Sequence, residues 1–345
     1  MQLPELPRGI RALDGADPLE FARALCATGN ADGLPVIPPT HARVGGMLGG
    51  REGAESLGRL PPLFRDITVE DVAVCAVLAG CGPEHLPALL AAVCAVQDPE
   101  FNLLGVVTTT GTTAVGMILH GPYVQEVGAN SGSNSMGPGN VANAVLGRAL
   151  ALVLRAGGMI PGTLDMSTMG QPAKYGFCFA EAPHATFPSL LSQRGLSVQA
   201  SAVSVFAASG IIEVVDSNSE SALGLIETLA SALPVPGTVD AEGRGLGNGQ
   251  VLVAIPPEWA DRLHKDGITH EQACVLLHKG SMVDVERLAP AIITGLAESV
   301  LLSGRVSTAR DPGSIVLVTT GGIGTKATYI PTWQGGSSIV TAFIT

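Results

Sequence analysis

Apolar positions over 70–79 leave almost no polar face: Val72, Ala73, Val74, Cys75, Ala76, Val77 and Leu78 follow one another, and Gly80 is placed to end the run. This predicts a short buried helix. A second run after Pro83 sets Leu86, Leu89, Leu90 and Val93 at helical spacing. Proline suits its first position, where the missing N–H would be unpaired anyway. The same periodicity predicts an amphipathic helix over about 18–28 and another over about 140–155, bearing Val141, Ala144, Val145, Ala149, Leu150 and Val153. It predicts one over about 219–233, capped by Asp216 or Ser217. Further helices open at Pro256 and near His270, and a last one spans about 284–302 with Leu288, Ile292 and Leu296 as its stripe.

Apolar and β-branched runs predict strands over 103–110, 116–122, 202–208, 211–215, 251–255, 315–320 and 339–344. Segments 32–40 and 60–63 are extended, because residues preceding proline avoid the helical region. Residues 44–50 read as a flexible arm or a glycine-interrupted helix, and 157–195 as a long irregular stretch of the kind that carries function. The Gly/Pro-rich segment 235–249 is the expected boundary. The order predicts an α/β fold of mixed sheets with flanking helices: an N-terminal helix and arm over 1–66, a first α/β unit over 67–235 and a second over 250–345. Val106–Gly111 echoes Val316–Gly321, and Ile118–Pro122 echoes Val253–Pro257. Internal pseudo-duplication explains these echoes; so does chance in a chain rich in Val, Thr and Gly. A duplication would bring two Thr-Thr-Gly strand ends, with Thr109 in one of them, near a common axis.

Composition narrows the function. Of 345 residues, 46% are hydrophobic and only 14% charged, against about a quarter charged in ordinary globular chains. So few charges cover little surface, which predicts a homo-oligomer. A net charge of −11 argues against nucleic acid or an anionic membrane as partner. No apolar run approaches the ~18 residues of a spanning helix, and the first residues lack a signal-peptide pattern. Six scattered cysteines make neither a disulfide framework nor a C-x-x-C metal motif. The expected compartment is the cytoplasm; no metal-ligating set is indicated, and the sequence assigns no cofactor either way.

Chemistry-bearing residues fall in five places. Cys81 precedes a predicted helix N-terminus, which favours a thiolate, with Glu84 beside it and His85 one turn on to hold the thiol's proton. The alternative is a tight turn with a buried, inert cysteine. The loop 128–140 is rich in Gly, with Asn130, Ser131, Asn134 and Asn140. It matches neither the Walker A nor the dinucleotide pattern. Its amides suit a polar or carboxylate ligand, or simply cap the following helix. Lys326, after a Gly-rich turn, either binds an anion or is solvated. Cys178 with Glu181, and His120 at a strand end, are secondary acid–base or thiol candidates.

The runs Asp32-Gly33-Leu34-Pro35-Val36-Ile37-Pro38-Pro39-Thr40, Ala79-Gly80-Cys81-Gly82-Pro83-Glu84-His85, and Asn130-Ser131-Gly132 through Gly137-Pro138-Gly139-Asn140 resemble one bacterial family. Its members are uncharacterised, and some are joined to or encoded near a small module with a selenocysteine-Gly-Ser-Cys motif. The resemblance covers about 30–345, although this chain has Cys75 where the family often has Asn. It implies redox or sulfur chemistry with a thiol or selenol partner protein, and supplies no catalytic assignment. Three expectations stand. The first is a cytoplasmic enzyme acting on a small polar or anionic metabolite, with Cys81 as nucleophile or redox thiol: a thiol-dependent lyase, hydrolase or oxidoreductase. The second is a non-catalytic binding or assembly subunit that works with a redox partner. The third is a hydrolase or lyase using Ser/Thr hydroxyls and Lys326, with Cys81 only structural.

Overall fold

Two four-stranded mixed sheets organise the structure, a computed structural model that describes residues 17–160, 162–184, 186–234, 250–306, 309–333 and 335–345. Their strands are β1 (Ala114–His120), β2 (Cys178–Ala180), β3 (Ala202–Ala208), β4 (Ile212–Val215), β5 (Val251–Ile255), β6 (Ile315–Thr319), β7 (Lys326–Ile330) and β8 (Val340–Phe343). The first sheet runs β2–β1–β3–β8 and the second β6–β5–β7–β4. Read in this direction, both pair in the same way, parallel, then antiparallel, then antiparallel. Each sheet takes its fourth strand from the other part of the chain. The strands β3 and β7 meet where they cross over, through a bridge between Ala208 and Thr332.

This topology is a pseudo-duplication with reciprocal strand exchange. One echo in the sequence falls on equivalent strands, since 118–122 closes β1 and 253–257 closes β5, but one residue out of register: the inward-facing Ile118 corresponds to Ala254, not to Val253. The other does not: Val106 and Val107 lie in a helix, Leu103–Thr108, and not in the strand expected over 103–110. The Asn102 side chain accepts from the Gly105 amide and caps it, and Leu103, Val106 and Val107 are buried at helical spacing. Cap and burial outweigh the β-branched propensity.

Alternation along the strands divides the core. Ile118, Phe179, Phe206, Leu252, Ala254, Val316, Val318 and Ile330 pack between the two sheets. Phe206 stands edge-on to Phe177 at 5.3 Å between ring centroids. Gly116 makes room for it: a Cβ there would lie 2.3 Å from the Phe206 ring. The intervening residues face outward. Met117, Leu119, Val203 and Val205 meet the helices α1 (Val69–Ala79), α2 (Leu86–Val96) and α3 (Val141–Ala156). Val251, Val253, Leu317 and Tyr329 meet α4 (Ala222–Ala232), α5 (Pro257–Lys265) and α6 (His270–Gly280). Helices therefore cover the outer face of each sheet, with an apolar layer between the sheets.

Other expectations need correction. The helix expected over 284–302 is broken into a strand residue pair, a short 3-10 turn and the helices Pro290–Ile293 and Glu298–Ser303, with Pro290 and Gly295 as interruptions. Of the two readings of residues 44–50 the glycine-interrupted helix holds, as His41–Leu48 with Gly45 and Gly46 inside it. The connector at 60–63 is the turn between strands Ser56–Leu60 and Arg65–Thr68. Ser221, not Asp216 or Ser217, caps α4. The boundary segment 235–249 lies outside the described residues, as do the first sixteen residues of the 1–66 arm.

Candidate active site

The Cys81 segment forms as the spacing predicts, with different chemistry. Gly80 ends α1 in the left-handed region, and the Cys81 amide donates back to Ala76 O at 2.9 Å. A 3-10 turn, Pro83–His85, separates the cysteine from α2, so its thiol does not sit at an α-helix N-terminus. Burial pushes the thiol up to about 12; Glu84 adds to this and Arg148 offsets part of it. The Sγ contacts Val145 O at 3.6 Å. His85 is buried. Its Nδ1 accepts from the Gly82 amide at 2.9 Å, and Nε2 has no partner among the described residues. The Glu84 side chain is largely exposed, and its carbonyl accepts from the Tyr123 hydroxyl. His85 Nδ1 lies 3.5 Å from Glu84 Oε1, but among the described residues no hydrogen bond or ion pair joins either side chain to the Cys81 thiol, and desolvation opposes the lowered thiol expected of Cys81.

The Asn/Gly loop holds itself together. Asn143 accepts from the Asn130 amide and donates to Asn130 O and Ser135 O, each at 2.9 Å. Asn130 donates to Ser133 O, Asn134 to Pro138 O, and Asn140 to Gly128 O while capping α3. The Ser131 carbonyl accepts from the Gly321 amide and the Thr320 hydroxyl. These contacts tie the loop to the end of β6 and give the side-chain amides of Asn130, Asn134, Asn140 and Asn143 partners within the loop. Thr109 accepts from the Gly111 amide. Lys326 is exposed at the first residue of β7.

Two of the three secondary candidates, His120 and Glu181, come together instead. His120 closes β1, and Glu181 follows β2, its parallel neighbour in the register Leu119↔Ala180. Their side chains meet at 2.7 Å, Nδ1 to Oε2. Cys178 does not join them. Strand alternation turns it to the helix side, and burial pushes its thiol far up. Glu181 Oε1 accepts from the Leu190 amide at 2.9 Å. On its other side, His120 Nε2 lies 2.8 Å from Ser204 Oγ, on the antiparallel neighbour β3. Ser204 Oγ in turn lies 2.7 Å from Thr341 Oγ1 on β8, directly across the ladder. Arg194 donates to Thr341 Oγ1 and, at 2.8 Å, to Ile339 O. The chain of contacts is Glu181, His120, Ser204, Thr341, Arg194, drawn from four strands' worth of sequence and the turn after Leu190–Gln193.

Burial grades along this chain. Ser204, His120 and Glu181 are 0%, 1% and 5% exposed, whereas Thr341 is half-buried and lines a cleft of about 700 Å³. Arg194, Arg310, Glu100, Gln250 and Ser338 also line it. Among the described residues no carboxylate comes within ion-pair distance of Arg194. Burial pushes its guanidinium down and Glu100 pulls it back up, but an arginine keeps its charge in either case. The cleft wall therefore presents a largely desolvated cation beside a hydroxyl that connects inward to an imidazole and a carboxylate.

The sequence reading missed Ser204, Thr341, Arg194 and Arg310. Ser204 carried a signal, as the lone polar residue of the strand Ala202–Ala208. Thr341 and the arginines carried none, because their meaning depends on which strand crosses to which sheet. No protein-family model matches the chain, nor does any curated protein or solved structure. No single helix among the described residues is long and apolar enough to cross a membrane.

Proposed function

We propose that the protein is a cytoplasmic enzyme of hydrolytic type that acts on a small anionic molecule in the cleft beside β8. Arg194 and Arg310 hold the anion. The Ser204–His120–Glu181 chain accepts and returns a proton. The observation that carries this reading is the joined hydrogen bonding of a carboxylate, an imidazole and two hydroxyls, at 2.7–2.8 Å each, ending at a cleft lined by arginine. Carboxylate–imidazole–hydroxyl order is what a general base for hydroxyl or water chemistry requires. All six cysteines are free, which supports a reducing compartment. The hydroxyl reading thus takes precedence over the thiol reading, with His120 in the place given to Lys326.

Mono-4-nitrophenyl succinate, a chromogenic ester with a free carboxylate, tests it. The wild-type chain should hydrolyse the ester above the buffer rate, and succinate should compete. Glu181→Gln should lower kcat by about 10²–10⁴-fold with little change in KM, and Arg194→Leu should raise KM. Absence of hydrolysis, or a folded Glu181→Gln variant that turns over at the wild-type rate, sinks the proposal.

A further inference from the structure

The direction of each proton in the buried chain follows from what its two ends can do. Arg194 can only donate, so Thr341 Oγ1 accepts from it. The Glu181 carboxylate takes the Leu190 amide on Oε1 and faces His120 with Oε2, so His120 Nδ1 carries the proton between them. A neutral imidazole protonated on Nδ1 has Nε2 free to accept, and its contact there is Ser204 Oγ. Ser204 therefore donates to His120, and its oxygen is left to accept from the Thr341 hydroxyl. Every proton points inward from the cleft. Ser204 cannot itself attack a ligand, being 0% exposed. Thr341 is the one hydroxyl of the chain that lines the cleft.

We infer that Thr341 is the nucleophile of this site and that it acts on carboxylate-bearing esters; the inference rests on the cleft being the active site. Thr341 Oγ1 forms a bond to the ester carbonyl carbon. Its proton passes to Ser204 Oγ as the Ser204 proton passes to His120 Nε2, giving an imidazolium held by Glu181. The C–O bond to the leaving group then breaks, and an acidic alcohol such as nitrophenol departs as its anion while the proton stays on His120. Water attacks the resulting acyl-threonine and gives one proton to the solvent of the cleft; Thr341 Oγ1 leaves as it takes a proton from Ser204, which His120 replaces, and the acid is released. Atoms and charges balance with water as the only co-reactant. Arg194 already donates to Thr341 Oγ1, so its charge lies where the alkoxide develops.

The site is complete only through the strand exchange. Thr341 comes from the last strand of the chain, paired in register opposite Ser204 (Thr341↔Ser204). His120, Glu181 and Ser204 come from the first unit.

Acid-quenched mass spectrometry of the wild-type chain turning over mono-4-nitrophenyl succinate should find a succinyl group on Thr341. A burst of nitrophenol should precede the steady state. Thr341→Val should lose burst, adduct and turnover. Thr341→Ser keeps a hydroxyl at the same place and should retain all three, which separates loss of the nucleophile from loss of the fold. His120→Gln should slow formation of the adduct without moving it to another residue. If Glu181→Gln and His120→Gln lose turnover while Thr341→Val keeps it, and no adduct forms, the chain activates water directly: the inference on Thr341 is overturned and the reading of the cleft survives. An adduct on any other side chain also overturns it.

Discussion

Alkylation of the native protein by iodoacetamide at neutral pH tests the displacement of Cys81 from the chemistry. Burial and the Glu84 carboxylate, less the effect of Arg148, raise the thiol from its ordinary value of 9.0 to about 12. The thiolate population at neutral pH then falls by ~10³ relative to an ordinary thiol. A more basic thiolate is the better nucleophile, with a Brønsted slope of about 0.4–0.5, and this returns ~15–30-fold. Cys81 should react about 30–60-fold more slowly than an unperturbed thiol by these terms alone. Cys94 is exposed and should be modified first; the fully buried Cys75 and Cys178 should be modified last. Peptide-resolved mass spectrometry over a time course reads the order. Modification of Cys81 ahead of Cys94 would refute the desolvation argument and restore the thiol to the centre of the mechanism.

Three further outcomes are expected. Burial pushes Asp216 up, but hydroxyls from Ser219 and Thr228 and amides from Ser219 and Asn218 outweigh it and hold the carboxyl down at about 2. Asp216→Asn should therefore cost about 2 kcal/mol at neutral pH. Because the folded value is depressed, this difference should be constant above the ordinary 3.8 and vanish as the pH falls towards 2, as read by denaturant melts across that range. Asn143→Ala strands two carbonyls and an amide of the 128–140 loop, so it should cost about 2–3 kcal/mol in the same assay while succinate affinity is unchanged. Light scattering should give a mass of at least two chains and not the 35.0 kDa of one, because Ile323, Met169 and Leu302 are 96%, 86% and 82% exposed on a chain with few charges.

Most elements were legible because their periodicity and their caps agreed. In α1, a Thr68–Asp71 capping box, a near-continuous apolar run and Gly80 in the left-handed region all point to one answer. The failures came where two signals competed. Val106-Val107-Thr108-Thr109 reads as strand by propensity, yet the burial positions 103, 106 and 107 were already at helical spacing, and Asn102 was there to cap. The site was half legible. His120 and Glu181 stood out as ionisable residues at the ends of apolar strands, but 61 positions separate them and only the parallel β1–β2 register brings them into contact. Cys81 misled because sequence places it before a proline-led helix but cannot show the 3-10 turn or the desolvation that remove the benefit of the helix N-terminus. The asparagines misled in the opposite sense, since an amide-rich loop can spend all of its hydrogen bonds on itself.

The pseudo-duplication supplies an internal control on whether the buried chain is only a bridge between strands. Aligning the two sheets by their inward faces, two residues before each closing turn, sets Ile118, Ser204 and Thr341 against Ala254, Thr328 and Glu213. Both rows pair their strands. In the second row the position of His120 is taken by Pro256, which offers no base at all. Sheet pairing at this place therefore does not require an imidazole, still less an imidazole and a carboxylate at 1% and 5% exposure. Burying such a pair is expensive, and apolar replacements of similar volume are often neutral or stabilising. One end of the duplicated frame keeps that cost and directs its protons inward from a cleft; the other closes with Pro256-Pro257. The asymmetry has no explanation in strand pairing, whereas a proton acceptor serving Thr341 accounts for each of its members.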